Sequence, residues 1–266
     1  MPTPLLETGL ANSSSPNAQT PGECSIAFQR VVNFRDLGGV STSLGRVRRG
    51  RVFRSASLQF ASASDAAKLD MLGIGTVIDL RTEQERNDHG YSSDWQPRRS
   101  VHAPLVHTLW DRNEVGADDN PAAFLTAQYL KMLERGDVAH AVAAVADAAS
   151  DGLHPGVLFH CAGKDRTGVL AAVVLSLLGA DDASIVADYH HTANSMPALV
   201  ALFSANSANQ SAMVNQPAAF LESPPKAMEN MLEIVRFDWG SMEQYALEHG
   251  VTTATINLLR ISLLDC

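Results

Sequence analysis

Cysteine is scarce in this chain: three residues of 266, at positions 24, 161 and 266, odd in number and far apart. That spacing excludes a disulfide framework and fits a reducing compartment. An excess of basic charge is also missing. The net charge is −9, which excludes non-specific nucleic-acid binding as the main role, because such binding needs a basic footprint. Long apolar runs are lacking as well. The most apolar stretch, 169–178, is too short to span a bilayer and reads as a buried core helix, so no stable membrane insertion is expected. Residues 1–22, rich in Pro, Ser, Asn and Thr, have neither the basic start nor the apolar centre of a signal peptide. They read as a disordered tail before a single domain over 23–266. A cytoplasmic location is expected, with secretion lacking a recognisable signal left open. What is plentiful is core material, since 45% of the residues are hydrophobic.

Elements alternate along the chain. VVNFRDLGGV reads as a strand closed by Gly38 and Gly39, and RVFRSA as a second strand. Ser62 or Ser64 can cap a helix running to Leu72. TVIDLR (76–81) is a β-branched central strand. EQERNDHGYSSDWQPRR reads as a polar loop and SVHAPL as a further strand. Asn120 and Pro121 open a helix, Asn as cap and Pro in the first turn. An Ala-rich helix over 137–149 follows, then the apolar strand GVLFHC and a helix to Leu178. Beyond 180 the chain is helical, with 194–223 as a candidate lid. The expected class is an α/β sandwich with a mostly parallel central sheet flanked by helices.

Chemistry concentrates in LFHCAGKDRTG (158–168). A strand ends in His160 and Cys161, a short turn follows, and Arg166 lies where an apolar helix begins. Helix N-termini and curled loops present N–H groups to anions. A cysteine there is expected to lose its proton readily and act as a nucleophile. Arg166 can hold two phosphate oxygens with its planar fork. The arginine is otherwise badly placed, because a cation at a helix N-terminus is unfavourable without an anion. A carboxylic acid within reach of the leaving oxygen is also required; Asp165 is the first candidate and Asp79, at a strand end, the second. His160 is expected to orient the loop, and Thr167 to bond the thiolate or assist water. The run Arg46, Arg48, Arg49, Arg51 and Arg54 is either a solvated face or a patch attracting a phosphorylated partner. His190 and His191 are adjacent on a helix and point apart, which is poor metal-ligand geometry. No metal and no cofactor is called for.

HCAGKDRTG and NFRDLGG (33–39) together resemble landmarks of the bacterial tyrosine/serine protein phosphatases, within the cysteine-based tyrosine phosphatase superfamily. FRSAS (53–57), IDLRT (78–82), DYHHT (188–192) and the closing GSMEQY…LR pattern extend the resemblance from about residue 25 to the end. It implies the tyrosine-phosphatase sandwich and a metal-independent phosphomonoesterase that forms a phosphocysteine intermediate on Cys161. Ala162, Gly163, Lys164, Thr167 and Gly168 would line the phosphate cradle with His160, buttressed by Asn33, Arg35 and Asp36. Lys164 at the rim would favour substrates with extra phosphates. The substrate would be a phosphotyrosine or phosphoserine protein, or a small phosphorylated metabolite or lipid. One departure stands out: four residues, not the superfamily's five, separate Cys161 from Arg166. That spacing is shared with rhodanese-like sulfurtransferases. It also admits altered, non-hydrolytic chemistry, such as a lyase reaction, on a phosphorylated small molecule. Oligomeric state is not legible.

Overall fold

The computed structural model describes residues 27–106, 120–135, 137–204 and 218–265. The tail over 1–22 and the 205–217 portion of the candidate lid lie outside them.

Five strands form the central sheet in the order β1 (Arg35–Asp36), β4 (Val52–Ser55), β7 (Gly156–His160), β5 (Ile74–Asp79), β6 (Arg99–His102). All neighbours run parallel except β1, which is antiparallel to β4. The fold is thus an α/β sandwich with a mostly parallel sheet, as expected. β7 is buried at every position. Its alternation divides the apolar interior in two: Val157 and Phe159 join the large cluster with the helices α3 (Pro121–Glu134), α4 (Val138–Ala149) and α5 (Asp165–Leu177), while Leu158 points to a smaller one under α1 (Ala63–Met71). A central strand covered on both faces needs this run of apolar residues. A separate antiparallel ribbon joins β2 (Ser41–Thr42), β3 (Gly45–Val47) and the terminal β8 (Leu264–Asp265).

Helix starts follow local chemistry. The Ser62 side chain accepts from the Asp65 N–H while Asp65 reaches back to the Ser62 N–H, closing a capping box on α1. Asn120 accepts from the N–H groups of Ala122 and Ala123, with Pro121 in the first turn of α3. The remaining α-helices among the described residues are α6 (Asp182–His191), α7 (Met196–Ser204), α8 (Ala218–Leu221), α9 (Pro225–Trp239), α10 (Met242–Glu248) and α11 (Thr253–Leu263).

Two expectations are corrected. The segment read as a loop from Glu83 begins with a helix, α2 (Glu83–Asp88), because Thr82 and Glu85 form a second capping box. The strand read over VVNFRDLGGV shrinks to Arg35–Asp36, since Asn33 turns out of the extended region at φ 57.

Candidate active site

Register places the site. Ser55, His160, Asp79 and His102 are successive Cα partners across β4, β7, β5 and β6, so one row of polar residues ends the parallel strands together. Open α/β sheets bind ligands beyond such carboxyl ends. Cys161 leaves this row and is 2% exposed. The next three residues turn the chain into α5, whose first residue is Asp165 and second Arg166. Ala162 is the exposed residue of the turn.

Gly163 pins the turn. Its φ of +91° suits glycine, and an added Cβ would sit 2.8 Å from the Ala56 Cα. Its carbonyl accepts from Asn33 Nδ2 at 2.7 Å and from an Arg54 Nη at 3.0 Å. Arg54 is wholly buried, and its other Nη donates to Asp188 at 2.5 Å. Asp188 also accepts from Arg35 Nε at 2.6 Å, and Arg35 donates to Asn33 Oδ1 at 2.5 Å. Burial opposes the Asp188 charge, but Arg35 and Arg54 outweigh it and hold the carboxyl at about 2. Burial and the charge of Arg35 draw Arg54 down to about 10. Arg54 therefore leaves the supposed basic patch altogether.

Arg166 is held from the opposite flank. It donates to both oxygens of Glu85, at 2.5 and 2.9 Å. Glu85 is the third residue of α2 and closes its capping box, accepting also from the Thr82 N–H at 2.8 Å. Burial works against ionisation of Glu85, yet the Arg166 hydrogen bonds and charge keep its pKa below the usual carboxylate range. Burial pushes the Cys161 thiol up; Arg166 and the Ala162 N–H pull it down, while Glu85 and Asp79 push it up again. The expectation of an easily ionised cysteine is thus reversed in this arrangement. The sulfur has little water around it, and the Arg166 charge that favours the thiolate is partly offset by Glu85.

The two candidate acids differ sharply. Asp79 is wholly buried and accepts from Arg81 Nε at 2.9 Å and an Arg81 Nη at 2.7 Å. Burial would raise its pKa, but hydrogen bonds from Arg81 and the charges nearby lower it. Asp165 lies on the loop itself, its side chain 18% exposed, accepting from the Tyr129 hydroxyl at 2.6 Å and facing Lys164 Nζ at 3.0 Å. Lys164 is not a rim group: it is 4% exposed and donates to the Glu222 carbonyl at 2.9 Å. Asp36 does not reach the loop either. Its carboxylate accepts from the N–H groups of Gly38 and Gly50, joining two turns. His160 lies between the flanks, wholly buried, 3.7 Å from Asp79, with neither ring nitrogen hydrogen-bonded among the described residues. Burial lowers its pKa to about 4, so the ring is neutral. Thr167 Oγ1 is likewise buried without a partner among them. Gly168 packs against Tyr189, where a Cβ would come within 3.0 Å of the ring.

The structure therefore gathers Cys161, Ala162, Gly163, Lys164, Asp165, Arg166 and Thr167 with His160, and brings Arg35 behind them. Sequence reasoning missed Glu85, for which Thr82-x-x-Glu85 was a readable capping signal. It gave no role to Asp188 or Tyr129 and read Arg54 only as part of a basic run; Arg54 reaches Gly163 across 109 residues of sequence, Tyr129 reaches Asp165 across 36, and Asp188 acts through Arg54, 134 residues from it. Among the described residues no group of three or more His, Cys, Asp or Glu side chains could hold a metal ion.

A turn between a central parallel strand and a helix, with an arginine clamped beside it, is an α/β site suited to an anion. More particularly, the chain belongs to the tyrosine phosphatase family, whose model matches residues 26–265. It is 30% identical to a Cupriavidus necator protein named provisionally as a tyrosine-protein phosphatase, over 86% of this chain and 85% of that one. It is 28% identical to the triple specificity protein phosphatase PtpB of Mycobacterium tuberculosis, over 87% and 96% respectively. The P. aeruginosa protein TpbA, of known structure, shares 19% identity over 65% of this chain and 91% of its own, with a TM-score of 0.28. The family match does not favour the sulfurtransferase alternative raised by the four-residue spacing.

Proposed function

We propose that the protein is a phosphoric monoester hydrolase in which Cys161 is the nucleophile. The thiolate attacks phosphorus, the bond to the ester oxygen breaks, and Asp165 delivers its proton to the departing oxygen. Water then attacks the phosphocysteine, Asp165 takes the water's proton, the S–P bond breaks and inorganic phosphate leaves. Arg166 binds the equatorial oxygens and offsets the charge that develops on them. Thr167, whose buried hydroxyl has no partner among the described residues, bonds the sulfur when it becomes the leaving group. The observation that carries the reading is the Glu85 clamp. It holds the Arg166 fork beside the cysteine, where the shortened turn could otherwise have displaced it.

Asp165 is preferred to Asp79 as the acid because the Asp79 carboxylate is wholly buried and tied to Arg81, while Asp165 is part-exposed. Phosphorylated proteins are the leading substrates, and phosphorylated lipids or metabolites the second. The triple specificity in the name of the M. tuberculosis relative supports a test across those classes. The test is phosphate release from an aryl phosphate, phosphotyrosine and phosphoserine peptides, phosphoinositides and sugar phosphates, with Cys161→Ser as control. Turnover of at least one class, abolished in the variant, is expected. No turnover of any of them by the wild-type protein would sink the proposal.

A further inference from the structure

Tyr129 is buried in α3, far in sequence from the loop, yet its hydroxyl donates to Asp165 Oδ1 at 2.6 Å. A phenol has one proton, so with that proton committed the oxygen of Tyr129 can only accept from its other neighbour, the Tyr189 hydroxyl at 2.7 Å. The two rings meet edge to face with centroids 5.9 Å apart, and the missing side chain at Gly168 admits Tyr189 to that place. While Asp165 is ionised the chain runs one way: Tyr189 donates to Tyr129, and Tyr129 to Asp165.

The same carboxylate oxygen faces Lys164 Nζ at 3.0 Å, an ammonium group that can donate and cannot accept. Oδ1 is thus ringed by two donors and is a poor seat for an acidic proton. A proton held by Asp165 belongs on Oδ2. We infer that Tyr129 is a positioning residue for the general acid, fixing the Asp165 carboxyl so that Oδ2 carries the proton delivered to the leaving oxygen. This rests on the acid role proposed above for Asp165. Lys164 alone, on a flexible stem and shared with the Glu222 carbonyl, fixes the plane of the carboxyl less well than a rigid phenol buried in a helix.

General acid catalysis matters more as the leaving group becomes more basic, which separates positioning from mere packing. The experiment measures kcat/KM for p-nitrophenyl, phenyl and alkyl phosphates in the wild type, Tyr129→Phe, Asp165→Asn and the double variant. Tyr129→Phe is expected to lose about tenfold on phenyl phosphate and about twofold or less on p-nitrophenyl phosphate, a fraction of the loss in Asp165→Asn. In the Asp165→Asn background the tyrosine change should then cost nothing further. An equal loss on every ester in Tyr129→Phe, with a steep dependence in Asp165→Asn, overturns the positioning role alone. A flat dependence in Asp165→Asn overturns the acid assignment and this inference with it. If Tyr129→Phe does not fold, 3-fluorotyrosine at position 129 keeps the packing and sharpens the donor. A leaving-group dependence unchanged by that replacement overturns the inference.

Discussion

The turn from Cys161 to Arg166 is held from two flanks by two different means. On the β5 side, Glu85 grips the side chain of Arg166 with a short helix whose capping box is written in four consecutive residues. On the β4 side, Asn33 and Arg54 grip the backbone carbonyl of Gly163, and Asp188 with Arg35 holds them, through contacts spanning 109 to 153 residues. The first flank sets where a charged fork points. The second sets where the chain goes. A turn shortened by one residue has fewer internal bonds to define its path, and its one sharply bent position, Gly163, is where both buried donors converge.

Breaking the second flank should have the larger effect. Asp188→Ala leaves two buried guanidinium groups without their carboxylate and is expected to cost roughly 3–5 kcal/mol of stability. Thermal melting would show it, and a change within error would mean that the Gly163 carbonyl is held by Asn33 alone. The sign with pH follows from the depressed carboxyl: unfolded, Asp188 titrates near the ordinary value, so its contribution is present above that and lost as pH falls toward about 2.

His160, between the flanks, gives the next effect. Its folded pKa of about 4 lies below the ordinary value of 6.5, so the neutral ring stabilises the fold above 6.5. That stability is lost as pH falls toward 4, by up to about 3 kcal/mol. Comparing melting at pH 7 and pH 4.5 in the wild type and His160→Gln should show the acid sensitivity fall in the variant. An unchanged difference would assign the sensitivity to other groups.

Breaking the first flank should cost less stability, about 1–2 kcal/mol, and more chemistry. Glu85→Gln removes a negative charge that raises the Cys161 thiol pKa and frees Arg166 from its ion pair. The pH profile of Cys161 alkylation by iodoacetamide should begin above the free-cysteine range in the wild type and move down in Glu85→Gln. An upward or absent shift would refute the account of the raised thiol. The smallest effect is expected at Lys164: Lys164→Met should change selectivity among phosphorylated substrates little, because the ammonium is tied to Glu222 and Asp165. A selective loss of substrates with several phosphates would restore its reading as a rim group.

The difference between the flanks also explains what was legible in the sequence. β7, the turn and α5 form one continuous stretch, so the cysteine, arginine and acid could be read together from strand, turn and helix chemistry. The parallel sheet followed from the alternation of strands such as TVIDLR with helices such as the one opened by Asn120 and Pro121. The α2 clamp was legible too, had Thr82-x-x-Glu85 been weighed above the polarity of the segment. The Gly163 anchor was not. Nothing local to Arg54, which lies in a basic run, says that its guanidinium is buried against Asp188. Lys164 looked exposed for the same reason, since its partner Glu222 is 58 residues away. Charge in the sequence suggests surface; only tertiary pairing turns these residues inward.

The central claim is that a turn with four residues between cysteine and arginine still performs phosphoryl transfer through the sulfur. Rapid acid quench of the protein with an aryl phosphate, followed by mass analysis of the peptide bearing Cys161, tests it most directly. The account predicts a peptide heavier by one phosphoryl group on Cys161, formed as fast as the first equivalent of phenol is released and missing in Cys161→Ser. Continued turnover in Cys161→Ser, with no phosphorylated peptide in the wild type, would contradict it.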